Sequence, residues 1–351
     1  MSLAKAIETG DLAELPSRRD EDWRWTDLRG LVRSLPARSQ TYVGNLGPGV
    51  FDALAEEAVS IINGESRTAI TLASGGEHVV AVRYIAAPGA GAHAATPKLE
   101  IEKGRLIILE TLEGADGAYL SEIDLTMKVG PEGHVERIIL ADDAADAVSV
   151  LRWDVTLAPG ASFAQTVIAT GAKRQRIETH VAHPGGGASV RLDGLYLLDE
   201  RRHADITTVV THRGVDGTTS QLTKGVVSGQ ARGVFQGRIV VEKGADQTDA
   251  RMGHHALVLS DRAEVDGKPE LEIYADDVSC AHGNTVGAID EEALFYAQAR
   301  GIPEAEARAM LTEAFIGEVI DRIGHEGARD VVRAWVADRL QRQIARAGEA
   351  A

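Results

Sequence analysis

Glycines that open short apolar runs recur along most of this chain at a nearly fixed spacing. Successive members of the set lie roughly 27 to 30 residues apart, within the range of periods that repeat architectures show. They are Gly76, Gly104, Gly133, Gly160, Gly187, Gly214 and Gly244. Such a repeat constrains the fold strongly, because each unit must bury its apolar face against the next unit.

Between these glycines, apolar and polar residues alternate. From Val190 to Leu198, and again from Phe235 to Val241, every second residue is apolar or glycine. A period of two is typical of half-buried β-strands. Short strands joined by corners such as Pro159-Gly160 predict a β-solenoid, in which each coil stacks on the next. A β-sandwich would produce a similar alternation and stays open as an alternative at this point.

Both ends of the chain show helical patterns instead. Residues 1–15 predict a short amphipathic helix that ends at Pro16, and residues 51–62 predict a second helix. After residue 288, apolar residues recur at helical spacing in three further segments. We therefore predict three regions: an N-terminal helical region at 1–70, a β core at 71–288 and a C-terminal helical domain at 289–351.

The composition excludes several classes of function. The formal net charge of −16 argues against a nucleic-acid-binding surface, which would need clustered Lys and Arg. No apolar run approaches the length of about 18 residues that a transmembrane helix requires, so we predict no membrane association. A single cysteine in 351 residues fits a reducing compartment. These observations predict a cytoplasmic protein.

That one cysteine lies in a dense stretch at residues 268–287, KPELEIYADDVSCAHGNTVG. Cys280 and His282 are two residues apart, so on a strand their side chains share one face. Thiolate and imidazole suit zinc, iron and iron–sulfur species. A buried structural thiol beside a turn histidine is the alternative interpretation. His254 and His255 are adjacent and would point to opposite faces, so we assign them a structural role.

This stretch resembles a motif of the SufB/SufD family of iron–sulfur cluster assembly proteins, P-x-L-E-I-x-A-D-D-V-x-C-x-H-G-A-T-x-G. The segment LFYAQARGI at 294–302 is similar to the L-F-Y-L-x-S-R-G-I that follows it in the family, and RRDEDWRWTDL at 18–28 to an N-terminal family pattern. HGNT in place of HGAT is a departure that affects local contacts. The single cysteine and the C-x-H spacing resemble SufD more than SufB.

The resemblance implies a right-handed parallel β-helix core and a non-enzymatic scaffold. It implies that Cys280 and His282 lie at an interface with a SufB-like subunit, where an iron–sulfur cluster or iron is held transiently by ligands from both chains. No cofactor is then bound stably by the chain alone. The family also implies a SufC-like ATPase bound to the helical tail. The residues expected to contact it are Leu294, Phe295, Tyr296, Arg300 and Phe315.

Two other functions stay open at this point. A β-solenoid enzyme acting on polysaccharide would need clustered catalytic carboxylates on one exposed face. A homo-oligomeric paralogue, which includes a homodimer of the isolated chain, would replace the SufB-like partner by a second copy.

Overall fold

The computed structural model describes residues 1–66 and 75–349. The molecule is mainly β, with a parallel β-solenoid of about seven turns and helices at both ends, which confirms the predicted solenoid core. The strands are β1 (Glu57–Ile62), β2 (Glu65–Ser66), β3 (Glu77–Ala86), β4 (Ala92–Ala95), β5 (Lys98–Gly114), β6 (Leu120–Asp142), β7 (Val148–Leu157), β8 (Ser162–Ala169), β9 (Arg174–His183), β10 (Ser189–Leu198), β11 (His203–His212), β12 (Thr218–Val227), β13 (Arg232–Val241), β14 (Thr248–Val258), β15 (Glu264–Ile273) and β16 (Val278–Gly287). The α-helices are α1 (Leu3–Thr9), α2 (Leu28–Leu31), α3 (Glu291–Ala299), α4 (Glu304–Ile320) and α5 (Glu326–Glu349).

Successive strands alternate between two parallel faces. Face A contains the second part of β6 followed by β8, β10, β12, β14 and β16; face B contains the first part of β6 followed by β7, β9, β11, β13 and β15. One turn of the solenoid separates strand partners. Ser162 pairs with Ser189, 27 residues later, and Thr218 pairs with Asp249, 31 residues later. The glycine spacing in the sequence is therefore the length of one coil.

The core lies between the two faces and is filled by the inward residues of every coil. Tyr196 spans this space, and its hydroxyl reaches His254 on the same face, 2.8 Å from Nε2. Glycines make room for the ring on both sides: a Cβ on Gly225 would lie 2.0 Å from the ring, and one on Gly233 would lie 2.3 Å from it. Because the ring is fully buried, neither contact could be relieved without moving the core.

The C-terminal helices cover the outer side of face A. Ile316, Val319 and Ile320 of α4 and Val332 and Val336 of α5 are buried in one apolar cluster with outward residues of face A. Burying a side chain of this size stabilises the fold by about 1.5 to 3 kcal/mol. This packing fixes the helical tail on the solenoid.

The N-terminal segment covers the outer side of face B. Leu3 and Ala6 of α1 are buried against Leu120, Val148 and Val150, which point outward from the early coils. Here the structure differs from the prediction of one helix over residues 1–15. The α-helix ends at Gly10, which adopts a φ of 75°, and a short 3-10 turn at Leu12–Glu14 follows it.

The helix predicted at residues 51–62 is wrong. This segment forms a 3-10 turn at Asp52–Leu54 and then strand β1, which pairs in parallel with β3. Its alanines and glutamates favour a helix locally, but pairing with β3 buries Val59 and Ile61, and this tertiary gain overrides the local propensity. Strand β1 therefore begins the sheet ahead of the domain boundary predicted between residues 70 and 71, which itself falls outside the described residues.

Candidate functional site

The last coil of the solenoid is open to solvent. Strands β15 and β16 stand at the two ends of the strand order, so each pairs with one neighbour, β13 and β14 respectively. The apolar side chains of Ile273 and Val286 are exposed there. In the described part of the chain, no further strand pairs with β15 or β16. Free strand edges and exposed apolar groups are the features that natural sheets usually protect, or use to bind another chain.

Both predicted ligand residues lie on the inward side of this open coil. In the β14–β16 ladder, Cys280 pairs with Ala250 and His282 pairs with Met252. Ala250 and Met252 belong to the buried cluster that closes the inside of the coil below. Cys280 packs partly against that cluster, whereas His282 is exposed. The two side chains would therefore face a partner that covered the coil.

Partial burial makes the Cys280 thiol less reactive than an exposed cysteine. Its pKa is raised, first because burial disfavours the thiolate and also because Asp249 carries a nearby negative charge; a backbone hydrogen bond from Ala250 opposes this shift. The thiol is therefore protonated at neutral pH. Metal or cluster binding would have to displace that proton, since thiolate is the ligand form.

Two ligands are too few for a complete metal site. Structural zinc takes four protein ligands, and iron–sulfur clusters are commonly held by four as well. Among residues 1–66 and 75–349, no group of three or more His, Cys, Asp or Glu side chains is arranged to hold a metal ion. Cys280 and His282 could therefore supply only part of a ligand set, and the rest would come from another chain or molecule.

A buried histidine connects the core to this coil. His254 Nδ1 lies 2.8 Å from Asn284 Oδ1, and its ring stacks on Phe235 at 4.8 Å. Because an amide oxygen accepts, Nδ1 carries the proton and the Tyr196 hydroxyl donates to Nε2. This contact accounts for the asparagine of HGNT. His255 points outward and contacts Thr285. The two adjacent histidines therefore point to opposite sides of strand β14, as the sequence predicts.

Acid should destabilise the fold through His254. Burial lowers its pKa to about 4 from an ordinary value of 6.5. Between these values the unfolded chain binds the proton and the folded chain does not, so stability is complete above pH 6.5 and falls as the pH decreases. We expect this group to cost about 3 kcal/mol by pH 4.

The measurement is the free energy of unfolding in urea at several values between about pH 7 and pH 5. Because His93, His203 and His212 are also buried with lowered pKa values, His254→Asn should reduce the slope by the share of one proton, whereas His255→Asn should retain the wild-type slope. Equal slopes for the two variants would contradict the assignment.

The residues predicted to contact an ATPase divide into exposed and packed groups. On α3, Phe295 and Tyr296 are 72% and 61% exposed, whereas Leu294 is only 3% exposed. Arg300 donates to the Tyr296 hydroxyl at 2.8 Å and lies over its ring. Phe315 packs partly against the cluster under α4, with Lys224 Nζ 4.3 Å from its ring centre. The surface available to a partner is therefore that of Phe295, Tyr296 and Arg300.

The comparison with known families decides what this combination of solenoid, open coil and helical tail represents. A family model described as the SUF system FeS cluster assembly, SufBD core domain, matches residues 89–315. The chain belongs to the SufBD family. Within that family the chain is SufD-like.

Individual relatives agree with this assignment. SufD of Escherichia coli is 27% identical over 96% of this chain and 91% of its own length. A SufBD family protein of Mycobacterium tuberculosis (strain H37Rv) is 28% identical over 94% of this chain and 91% of its own length. SufD of Bacillus subtilis is 33% identical over 36% of this chain and 29% of its own length. All three are named as iron–sulfur cluster assembly proteins, not as enzymes acting on polysaccharide.

Residues 18–28, which carry the N-terminal motif of this SufBD family member, form a clamp across face B. The sequence alone did not indicate this role. Arg176 lies over the ring of Trp23, 4.4 Å from its centre. Thr26 donates to Asp205 at 2.5 Å, and Arg238 donates to Asp22 at 2.6 Å. These partners lie about 150 to 220 residues away in sequence, which is why no local pattern indicated them.

None of the helices in the described residues is long and apolar enough to span a membrane.

Proposed function

We propose that this chain is a scaffold subunit without catalytic activity of its own, which pairs with a SufB-like subunit through its last coil. An iron–sulfur cluster, or iron on the way to one, is built at that junction as transient cargo. Cys280 and His282 supply two of its ligands. The site of action is the cytoplasm.

The open last coil is the observation that carries this proposal. Its strands have free edges, and its exposed apolar residues lie beside a thiol and an imidazole that face the same way. A second solenoid stacked on this coil would continue both faces and would bring its own ligands opposite Cys280 and His282. Edge strands are regularly completed in this way by another chain.

Charge placed on the last coil should prevent pairing. We expect the double variant Ile273→Lys/Val286→Lys to reduce the amount of co-purifying SufB-like subunit at least about tenfold. An interface that buries unpaired ammonium groups is strongly disfavoured. The control is Val215→Lys at an equally exposed apolar position on an earlier corner. The proposal would be contradicted if the double variant co-purified the same amount of the SufB-like subunit as the wild type. It would also be contradicted if the wild-type chain paired through this coil only with a second copy of itself.

The helical tail is the proposed docking surface for a SufC-like ATPase. The chain contains no G-x-x-x-x-G-K-[ST] phosphate-binding loop, so energy for the assembly would come from such a partner. ATP-driven movement of the ATPase could then be transmitted to the solenoid, because α4 packs directly on face A.

Truncation of the exposed aromatic pair tests this surface. We expect Phe295→Ala/Tyr296→Ala to weaken binding of the isolated ATPase by at least about tenfold, as is common when exposed aromatic anchors are removed from an interface. Met310→Ala on α4 is the matched control, since Met310 is also apolar and exposed. Pairwise titration calorimetry is the measurement. Unchanged affinity of the double variant would place the ATPase elsewhere.

A further inference from the structure

A groove lined by arginines runs beside the clamp, where the strands of face B begin. It consists of two adjoining hollows with volumes of about 570 Å³ and 380 Å³, and Arg174 lines both of them. The arginines around the two hollows are Arg18, Arg33, Arg174, Arg201, Arg232 and Arg262. Because they come from five separate segments, the groove exists only in the folded chain.

Positive charge exceeds negative charge in this groove. The chain as a whole carries a net charge of −16, yet only three carboxylates line the hollows. One of these, Asp27, accepts the backbone N–H of Gly30. Arg232 is held by Glu264 and Asp266. Within the described residues, the other five arginines form no ion pair with a carboxylate.

A residue that lines the groove also carries a buried polar atom without a partner. His203 lines the larger hollow and is 1% exposed. Its Nε2 lies 3.0 Å from the Trp25 carbonyl oxygen, so Nε2 donates and Nδ1 is left as an acceptor. In the described structure, Nδ1 has no hydrogen-bond partner. A buried acceptor in this state is costly unless a ligand or water satisfies it.

Burial and neighbouring arginines together lower two pKa values beside the groove. The pKa of His203 is lowered, first by burial and then by repulsion from Arg174, whereas the negative charge of Asp205 opposes the shift. The pKa of Arg174 is itself lowered by burial and then by the neighbouring charge of Arg232, and the nearby carboxylate of Asp27 opposes this shift. Like charges held together in this way destabilise the empty groove, and a bound anion would relieve that repulsion.

We propose that this groove binds a polyphosphate group, either inorganic pyrophosphate or the diphosphate of a nucleotide. Guanidinium groups bind phosphate oxygens through paired hydrogen bonds, and Arg174 stands between two hollows that each offer further arginines. Two linked phosphates fit this arrangement better than a single one. The combined volume is in the range of small-molecule sites.

Titration calorimetry of the full chain at low salt tests the proposal with three probes: pyrophosphate, orthophosphate and ADP. We expect pyrophosphate to bind at least about tenfold more tightly than orthophosphate. Arg174→Gln and Arg201→Gln/Arg262→Gln should each weaken pyrophosphate binding about tenfold or more. Arg213→Gln is the control, since Arg213 is an exposed arginine that pairs with Glu242 outside the groove. Circular dichroism checks that each variant is folded.

The probes also distinguish the source of the phosphates. Tighter binding of ADP than of pyrophosphate would identify a nucleotide, whereas equal or weaker binding of ADP would show that the phosphates alone are recognised, and all these results support the site. No pyrophosphate binding up to about 1 mM, or equal loss in Arg213→Gln, would overturn it. Binding of a glutamate-rich peptide in place of pyrophosphate would overturn it too and would indicate an acidic protein partner. None of these outcomes depends on the scaffold role.

Discussion

The Arg137→Met variant should unfold with a free energy about 3 to 5 kcal/mol below that of the wild type, the usual cost of breaking a buried ion pair. Arg137 and Glu110 are fully buried between the two faces, where they form an ion pair. Arg137 also donates to Gln165 at 2.6 Å and lies over the ring of Trp153. Methionine retains much of the volume but leaves the Glu110 carboxylate inside the solenoid without a counterion.

The double variant Glu110→Leu/Arg137→Met is the control for this prediction. It removes both charges, so it should recover most of the lost stability. Urea denaturation followed by circular dichroism gives the three free energies. A loss below about 1 kcal/mol in the single variant would mean that the pair is not isolated from water as the structure indicates.

The second large effect concerns the last coil. In the assembled complex, His282→Ala and Cys280→Ser should each lower the cluster content at least about tenfold, because each removes one of the ligands that the proposed site shares between two chains. The fold should be unaffected, since His282 is exposed and Cys280 is only partly buried. Iron and sulfide content after anaerobic purification is the measurement.

Ser279→Ala is the matched control for these two variants. Ser279 lies on the same strand as Cys280 and His282, but it is an exposed residue of the outward side. It should leave the iron content and the subunit composition unchanged. Wild-type amounts of cluster in His282→Ala would remove the ligand role from that residue.

The solenoid could be predicted because its signals are local and repeated. A fixed glycine spacing and a period of two reappear in every coil, so errors at one coil do not obscure the pattern. The segment at 51–62 shows the limit of this reasoning. It forms a single strand at the start of the stack, its residues favour a helix, and only pairing with β3 decides its structure.

The candidate site could be predicted only in part. Alternation places Cys280 and His282 on one side of a strand, but whether that side is covered depends on which coil is the last. The clamp of Trp23 and Thr26 and the arginine groove could not be predicted from the sequence, because their residues come from distant segments that no local pattern connects. The contact between Asn284 and His254, 30 residues apart, is of the same kind.

The most direct test of the scaffold account is to locate iron in the cluster-loaded complex by anomalous X-ray scattering. The account predicts an iron peak above the last coil, within bonding distance of Cys280 Sγ and a His282 ring nitrogen, with the remaining ligands supplied by the partner subunit. An iron peak held entirely by the partner, with Cys280 and His282 out of reach, would contradict it.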